Sequence, residues 1–223
     1  MARNSRSLMA RIALFIDGNY FYNVSNFYKF QHQRRRRLSI QGLLSFARHE
    51  VANRMKFDAH SCQIVEAHYF RGRYSAYSAE EAAKLKDDRV FDDVLTRAGI
   101  VQHYTLLDEG GSVATEKGID VWLALEAYDL AVNDRYDVLC LVAGDGDYVP
   151  LIRKLNGLGL RVVLLAWDLS YPQSEDSTRR QRDIRTSAQL IEVCSDPVMM
   201  NNVIDDRAKK DSSLVSELFY DTH

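Results

Sequence analysis

The stretch "DVLCLVAGDGDYVPLIRKLNGLGLRVVLLAW", residues 137–167, places two apolar runs, 137–144 and 161–167, on either side of a segment with helical spacing from about Tyr148 to Asn156. Both runs are continuous rather than alternating, so each reads as a strand covered on both faces. A strand, a helix and a second such strand in close succession form the repeating unit of a parallel sheet.

The same alternation extends outward from this unit. Towards the N-terminus, "RIALFID" (11–17) reads as a strand followed by a helix, "SIQGLLSFARHEVANRM" (39–55) as a helix and "CQIVEAHYF" (62–70) as a second strand. A capping box from Ser78 to Glu81 predicts a helix running to about Gly99. "IVQHYTLL" (100–107) is a third strand, and an amphipathic helix spans about Ile119 to Asn133. Beyond Trp167 the sequence predicts a polar loop, a short strand "QLIEVC" (189–194), and a tail from Asp196 that is helical or partly disordered. The fold class is α/β, a three-layer α/β/α sandwich with a central, mainly parallel sheet. One domain over 11–195 is expected, with a basic extension at 1–10 and the tail at 196–223. "FQHQRRRR" (30–37) reads as a flexible basic insertion, and no internal repeat is visible.

A chain of 223 residues with 46% hydrophobic residues can build a full-sized core. The formal charge of -2 calls for no polyanionic partner, but its distribution is uneven. Residues 1–37 carry Arg3, Arg6, Arg11, Lys29 and Arg34 to Arg37 against Asp17 alone, whereas residues 120–150 carry seven acids against Arg135 alone. Cys62, Cys140 and Cys194 are widely spaced and lie in or beside apolar runs, which argues against disulfides and a zinc cluster. The run from Ile12 to Ile16 is too short for a signal peptide, and no segment has membrane-spanning length. A cytoplasmic protein with no membrane partner is expected.

Ligands of such sheets collect outside the carboxyl ends of the strands. Asp17 and Asn19 follow the first strand, and Asp145 and Asp147 follow the fourth, where the glycines at 144 and 146 are expected to let the backbone turn sharply. Asp120 falls in the first turn of a helix that starts on the same edge. Two carboxylates about 5 Å apart repel by about 3 kcal/mol at an effective dielectric constant of about 20. A divalent cation offsets that repulsion, and an Asp and Asn donor set suits Mg²⁺ or Mn²⁺ rather than zinc. Lys117 is placed to meet a substrate phosphate. Arg71 and Arg73 interleave with Tyr69, Phe70, Tyr74 and Tyr77, a pattern suited to unpaired bases, although Phe70 and Tyr69 also fit the core. Arg34, Arg35, Arg36 and Arg37 would add phosphate contacts without sequence choice. His68 and His103 fall in strands and read as structural.

"FIDGNYFY" (15–22), "KGIDVWLALEAYDLA" (117–131) and "LVAGDGDYVPLIRKLNGLGLRVVLL" (141–165), in that order, resemble the NYN domain, the LabA-like branch of the PIN-like ribonucleases. The resemblance covers about residues 11–194, with "HYFRGRY" at 68–74. It implies a PIN-like fold and a metal site of Asp17, Asp120, Asp145 and Asp147 assisted by Asn19. It also implies endonuclease activity on RNA that leaves 5′-phosphate and 3′-hydroxyl ends. Ser187 matches a polar position lining the family's site.

Two other readings compete with the ribonuclease. One is an RNA-binding or regulatory module acting through partners, the LabA-like proteins being associated with regulation as well. The other is a phosphohydrolase of the HAD type, which needs a second Asp where this chain has Asn19. Scattered apolar residues between Met199 and Tyr220 suit a homodimer, a protein partner for the tail, or packing onto the chain's own domain.

Overall fold

The computed structural model describes residues 9–111, 114–171 and 183–221. Six strands form one sheet: β1 (Ala10–Asp17), β2 (Cys62–Arg73), β3 (Val101–Leu106), β4 (Val138–Val142), β5 (Arg161–Ala166) and β6 (Asp196–Met199). Their order is β3-β2-β1-β4-β5-β6 and every pairing is parallel. Helices α1 (Gly18–Phe30), α2 (Ile40–Met55), α3 (Ala76–Glu81), α4 (Leu85–Arg97), α5 (Ile119–Val132), α6 (Val149–Gly157) and α7 (Ala188–Val193) lie between the strands, and α8 (Met200–Asp205) and α9 (Ser213–Glu217) follow β6.

Alternate residues of each central strand face opposite layers. Ile12, Leu14 and Ile16 of β1 join Val138, Cys140 and Val142 of β4 in a core with α1 and α2. Ala13 and Phe15 join Leu139, Leu141 and Leu164 in a second core with α5 and α6. With both faces covered, β4 is buried at all five positions, which is why its sequence carries no alternation. The three cysteines are buried free thiols among these residues. His68 and His103 are also buried, their ring nitrogens 2.9 Å apart, and burial holds both below the usual histidine range.

Four expectations need correction. "QLIEVC" is helical as α7, with Leu190 buried against the second core; a short apolar run does not reveal its own period. The last strand is instead "DPVM" at the sheet edge, where a proline is tolerated and Arg161 pairs with the buried Asp196 at 2.7 Å. The tail expected from Asp196 therefore begins inside the sheet. Its later part packs onto α2, with Leu218 and Phe219 buried and the Ser39 amide donating to the Leu218 carbonyl at 2.8 Å. The predicted helix from Ser78 to Gly99 is two helices, capped at Ser75 rather than Ser78 and broken where Ala83 takes a φ of 53°.

The fourth correction concerns the arginine run, which fastens the C-terminal segment instead of standing free. Arg34 donates to the carbonyls of Ile204 and Lys210 and lies over the Phe219 ring, while Arg36 donates to the Tyr220 carbonyl and pairs with Asp221. Arg35 bonds the Phe30 carbonyl, and Arg37 bonds Asn26 at 2.8 Å. Among the described residues no helix is long and apolar enough to cross a membrane.

Candidate active site

Strands β1 and β4 are neighbours, yet the chain leaves β1 towards β2 on one side and β4 towards β5 on the other. That reversal opens a crevice beyond their carboxyl ends. A cavity of about 630 Å³ lies there, lined by Asp17, Asn19, Glu116, Asp120, Asp145, Tyr148, Arg185 and Ser187 among others.

Asp17 ends β1 and caps α1, its Oδ1 accepting from the Tyr20 amide at 3.0 Å. The Tyr148 hydroxyl donates to its Oδ2 at 3.2 Å. Burial pushes the Asp17 carboxyl up to about 6, and the charge of Glu116 adds to the rise. Burial, reinforced by Asp17, also holds the Tyr148 hydroxyl protonated, so it remains a donor.

Tyr20 supports this corner from behind. Its hydroxyl accepts from the Trp167 amide at 2.6 Å and is raised to about 12 by burial. A Cβ on Gly144 would stand 2.5 Å from the Tyr20 ring, and one on Gly18 would stand 2.5 Å from the Tyr69 ring. Gly144 and Gly146 are absent from the positive-φ residues, so glycine at 144 makes room for an aromatic ring rather than a sharp turn.

Asp145 caps the short turn Gly146–Tyr148, its Oδ1 accepting from the Asp147 amide at 3.0 Å. Asp120 lies in the first turn of α5, behind Gly118 with its φ of 73°. Ser187 reaches the cavity because its amide donates to the Gly144 carbonyl at 2.8 Å. Asp17, Asn19, Asp120, Asp145 and Ser187, from four segments, thus share one cavity.

Asp147 and Lys117 do not reach it. Asp147 is exposed and outside the lining, and Lys117 is exposed and pairs with Asp108 across the loop. In place of Lys117 the loop delivers Glu116, which accepts from the Gly72 amide at 2.5 Å and is raised by burial. The cation at the cavity wall is Arg185, paired with Asp183 at 2.7 Å. Sequence reading overlooked Glu116, Arg185 and Tyr148; none stands out from ordinary loop or core residues without the sheet order.

The donors are oxygens without His or Cys, the chemistry of a hard divalent cation. As placed, however, no three His, Cys, Asp or Glu side chains among the described residues stand close enough to hold a metal ion. Asp17 is engaged by Tyr20 and Tyr148, and Asp145 by its own turn.

Of the arginines assigned to nucleic acid, Arg73 is held by Asp92 and lies over the Tyr104 ring at 3.4 Å, which makes it a structural cation. Arg71 lies over the Tyr22 ring at 4.2 Å and faces a second cavity of about 670 Å³. Arg37 lines that same cavity. Arg34, Arg35 and Arg36 are outside it, engaged with the chain's own carbonyls.

No curated protein matches the chain. A crystal structure of a Vibrio parahaemolyticus protein of unknown function is similar in fold, with a TM-score of 0.57 and 17% identity, over 91% of this chain and 98% of that one. The NYN domain profile matches residues 11–192, which span the sheet from the second residue of β1 through β5, and NYN domains fall in the PIN-like nuclease superfamily and are generally ribonucleases. The chain belongs to the NYN domain family.

Proposed function

We propose that the chain is a divalent-metal-dependent endoribonuclease cutting single-stranded or looped RNA at the cavity beyond β1 and β4. The observation that carries this reading is Asp17, a half-buried carboxylate with a raised pKa, beside Asp120, Asp145 and Asn19 in one crevice. Asp17, Asp120 and Asp145 would hold Mg²⁺ or Mn²⁺, directly or through water, with Asp145 giving up its turn bond to do so. When bound, such a cation lowers the pKa of water and neutralises charge on a phosphoryl oxygen.

The chain's own residues supply the rest. Tyr148 keeps one Asp17 oxygen oriented, and Asn19, on the cavity wall, would orient the attacking water. Arg185, a cation on the wall that would have to loosen its exposed pair with Asp183, would meet the phosphate in the role expected of Lys117. Water adds to phosphorus and gives up a proton to solvent as the bond to the 3′ oxygen breaks, and the leaving oxygen takes a proton from solvent. The products are a 5′-phosphate and a 3′-hydroxyl end, as the family resemblance implies.

The test is cleavage of end-labelled single-stranded RNA in Mn²⁺, Mg²⁺ or EDTA, with Asp145→Asn alongside. Cutting in metal, none in EDTA and a loss of at least about a hundredfold in the variant are expected. Full activity in Asp145→Asn would remove this cavity as the site. A second reading, an RNA-binding module without turnover, draws on the spacing of the acids, which is too wide as placed to ligate an ion. RNA bound but left intact in both metals would favour it.

A further inference from the structure

The second cavity is separate from the acidic crevice but continuous with it. Asn19, Asn23 and Glu116 line both. It runs from the outer face of α1 across the end of β2 to α4, and at about 670 Å³ it is large enough for a nucleotide.

Its chemistry differs from that of the crevice. The Arg71 guanidinium lies 4.2 Å from the centre of the exposed Tyr22 ring, and the Lys84 ammonium lies 4.5 Å from that of the Tyr74 ring. The Glu116 charge lies near Arg71 without a direct ion pair among the described residues, whereas the neighbouring Arg73 is spent on Asp92. A planar cation backed by an aromatic ring offers a flat surface to any base, because every base has a π-face. Arg37 and Lys29 on the same wall offer charge to a phosphate. Three carboxylates, Asp87, Asp88 and Glu116, share the lining with these cations, and rings, cations and amides together fit a nucleotide better than an apolar peptide or a lipid chain.

We infer that this cleft holds an unpaired nucleotide of RNA next to the phosphodiester in the acidic crevice, with Tyr22 and Arg71 as its stacking platform. This rests on the ribonuclease reading for the direction of the strand, but binding needs neither metal nor chemistry. A base inside a duplex is stacked on its own neighbours and presents no free face, so the cleft selects single strands.

The experiment is fluorescence anisotropy in EDTA, with a short fluorescein-labelled RNA of mixed sequence, single-stranded or annealed to its complement. Tyr22→Ala and Arg71→Ala should each weaken single-strand binding by between about 5-fold and about 100-fold. Tyr22→Phe should bind as wild type, because the ring remains. Tyr22 lies on the surface, and a melting curve for each variant checks that the fold is kept. Adenosine monophosphate is added as competitor.

Unchanged affinity in Tyr22→Ala, equal affinity for duplex, or no binding by the wild type would overturn the proposal. Displacement by the mononucleotide at concentrations matching the RNA would replace it with a free-nucleotide site. Metal-dependent cutting with unaltered Tyr22→Ala affinity would sink the cleft and spare the nuclease. RNA held through Tyr22 but never cut would do the reverse.

Discussion

Asp17 closes a buried strand, caps a helix and faces the crevice at once, and its charge is the least comfortable in that neighbourhood. Its pKa stands at about 6 against an ordinary 3.8. Between those values the folded chain binds more protons at this position than the unfolded chain, so its contribution to stability falls as pH rises. Above pH 6 the deficit is up to about 3 kcal/mol, since each unit of pKa corresponds to about 1.4 kcal/mol. Asparagine keeps the oxygen that accepts from Tyr20 and offers Tyr148 an amide in place of the carboxylate. Asp17→Asn is therefore expected to melt several degrees above the wild type at pH 7.5 and to lose that advantage near pH 4, which thermal unfolding at both values would check. A variant less stable than the wild type at pH 7.5 would contradict the reading of Asp17 as a desolvated charge.

At the scale of elements, the C-terminal segment shows how much the fold depends on contacts remote in sequence. A Cβ on Gly42 of α2 would collide with the Glu217 backbone of α9. Gly42→Ala should accordingly cost about 1–3 kcal/mol and make the C-terminal segment the first to be cut in limited proteolysis. β1, β4 and β5 were legible because burial on both faces writes continuous apolar runs, and the partly exposed β2 and β3 because they carry β-branched and aromatic residues. β6 was not, because Asp196 and Pro197 read as polar punctuation until Arg161 and the sheet edge are known to receive them. Arg34 and Arg36 read as free charge because their carbonyl partners lie 170 or more residues away. In the crevice, Asp17, Asn19, Asp120 and Asp145 could be found because each follows a strand end or opens a helix at that edge. Glu116 and Lys117 are adjacent in a loop, and nothing in the sequence says which of the two faces inward.

Across the whole molecule, the strand order explains why acids distant in the chain meet. The connection from β3 at the sheet edge returns through α5, packed across β2 and β1, before entering β4. That route brings Asp120 to the cavity that Asp17 and Asp145 reach from the two central strands. The basic, aromatic cleft opens beside this acidic crevice, which puts attraction for a polyanion next to the carboxylates that would otherwise repel it. On the proposed reading the ion would require Asp17 deprotonated, so cleavage should fall as pH drops through about 6, opposite in direction to the stability change, and excess Mn²⁺ should move the midpoint lower. A pH profile flat from 5 to 8 would separate Asp17 from the chemistry. The most direct measurement sets wild type and Asp17→Asn side by side on end-labelled single-stranded RNA in Mn²⁺ at pH 7.5. The wild type is expected to cut and the better-folded variant to leave the RNA intact; equal cutting by both, or none by the wild type in Mn²⁺ or Mg²⁺, would contradict a metal-dependent nuclease centred on Asp17.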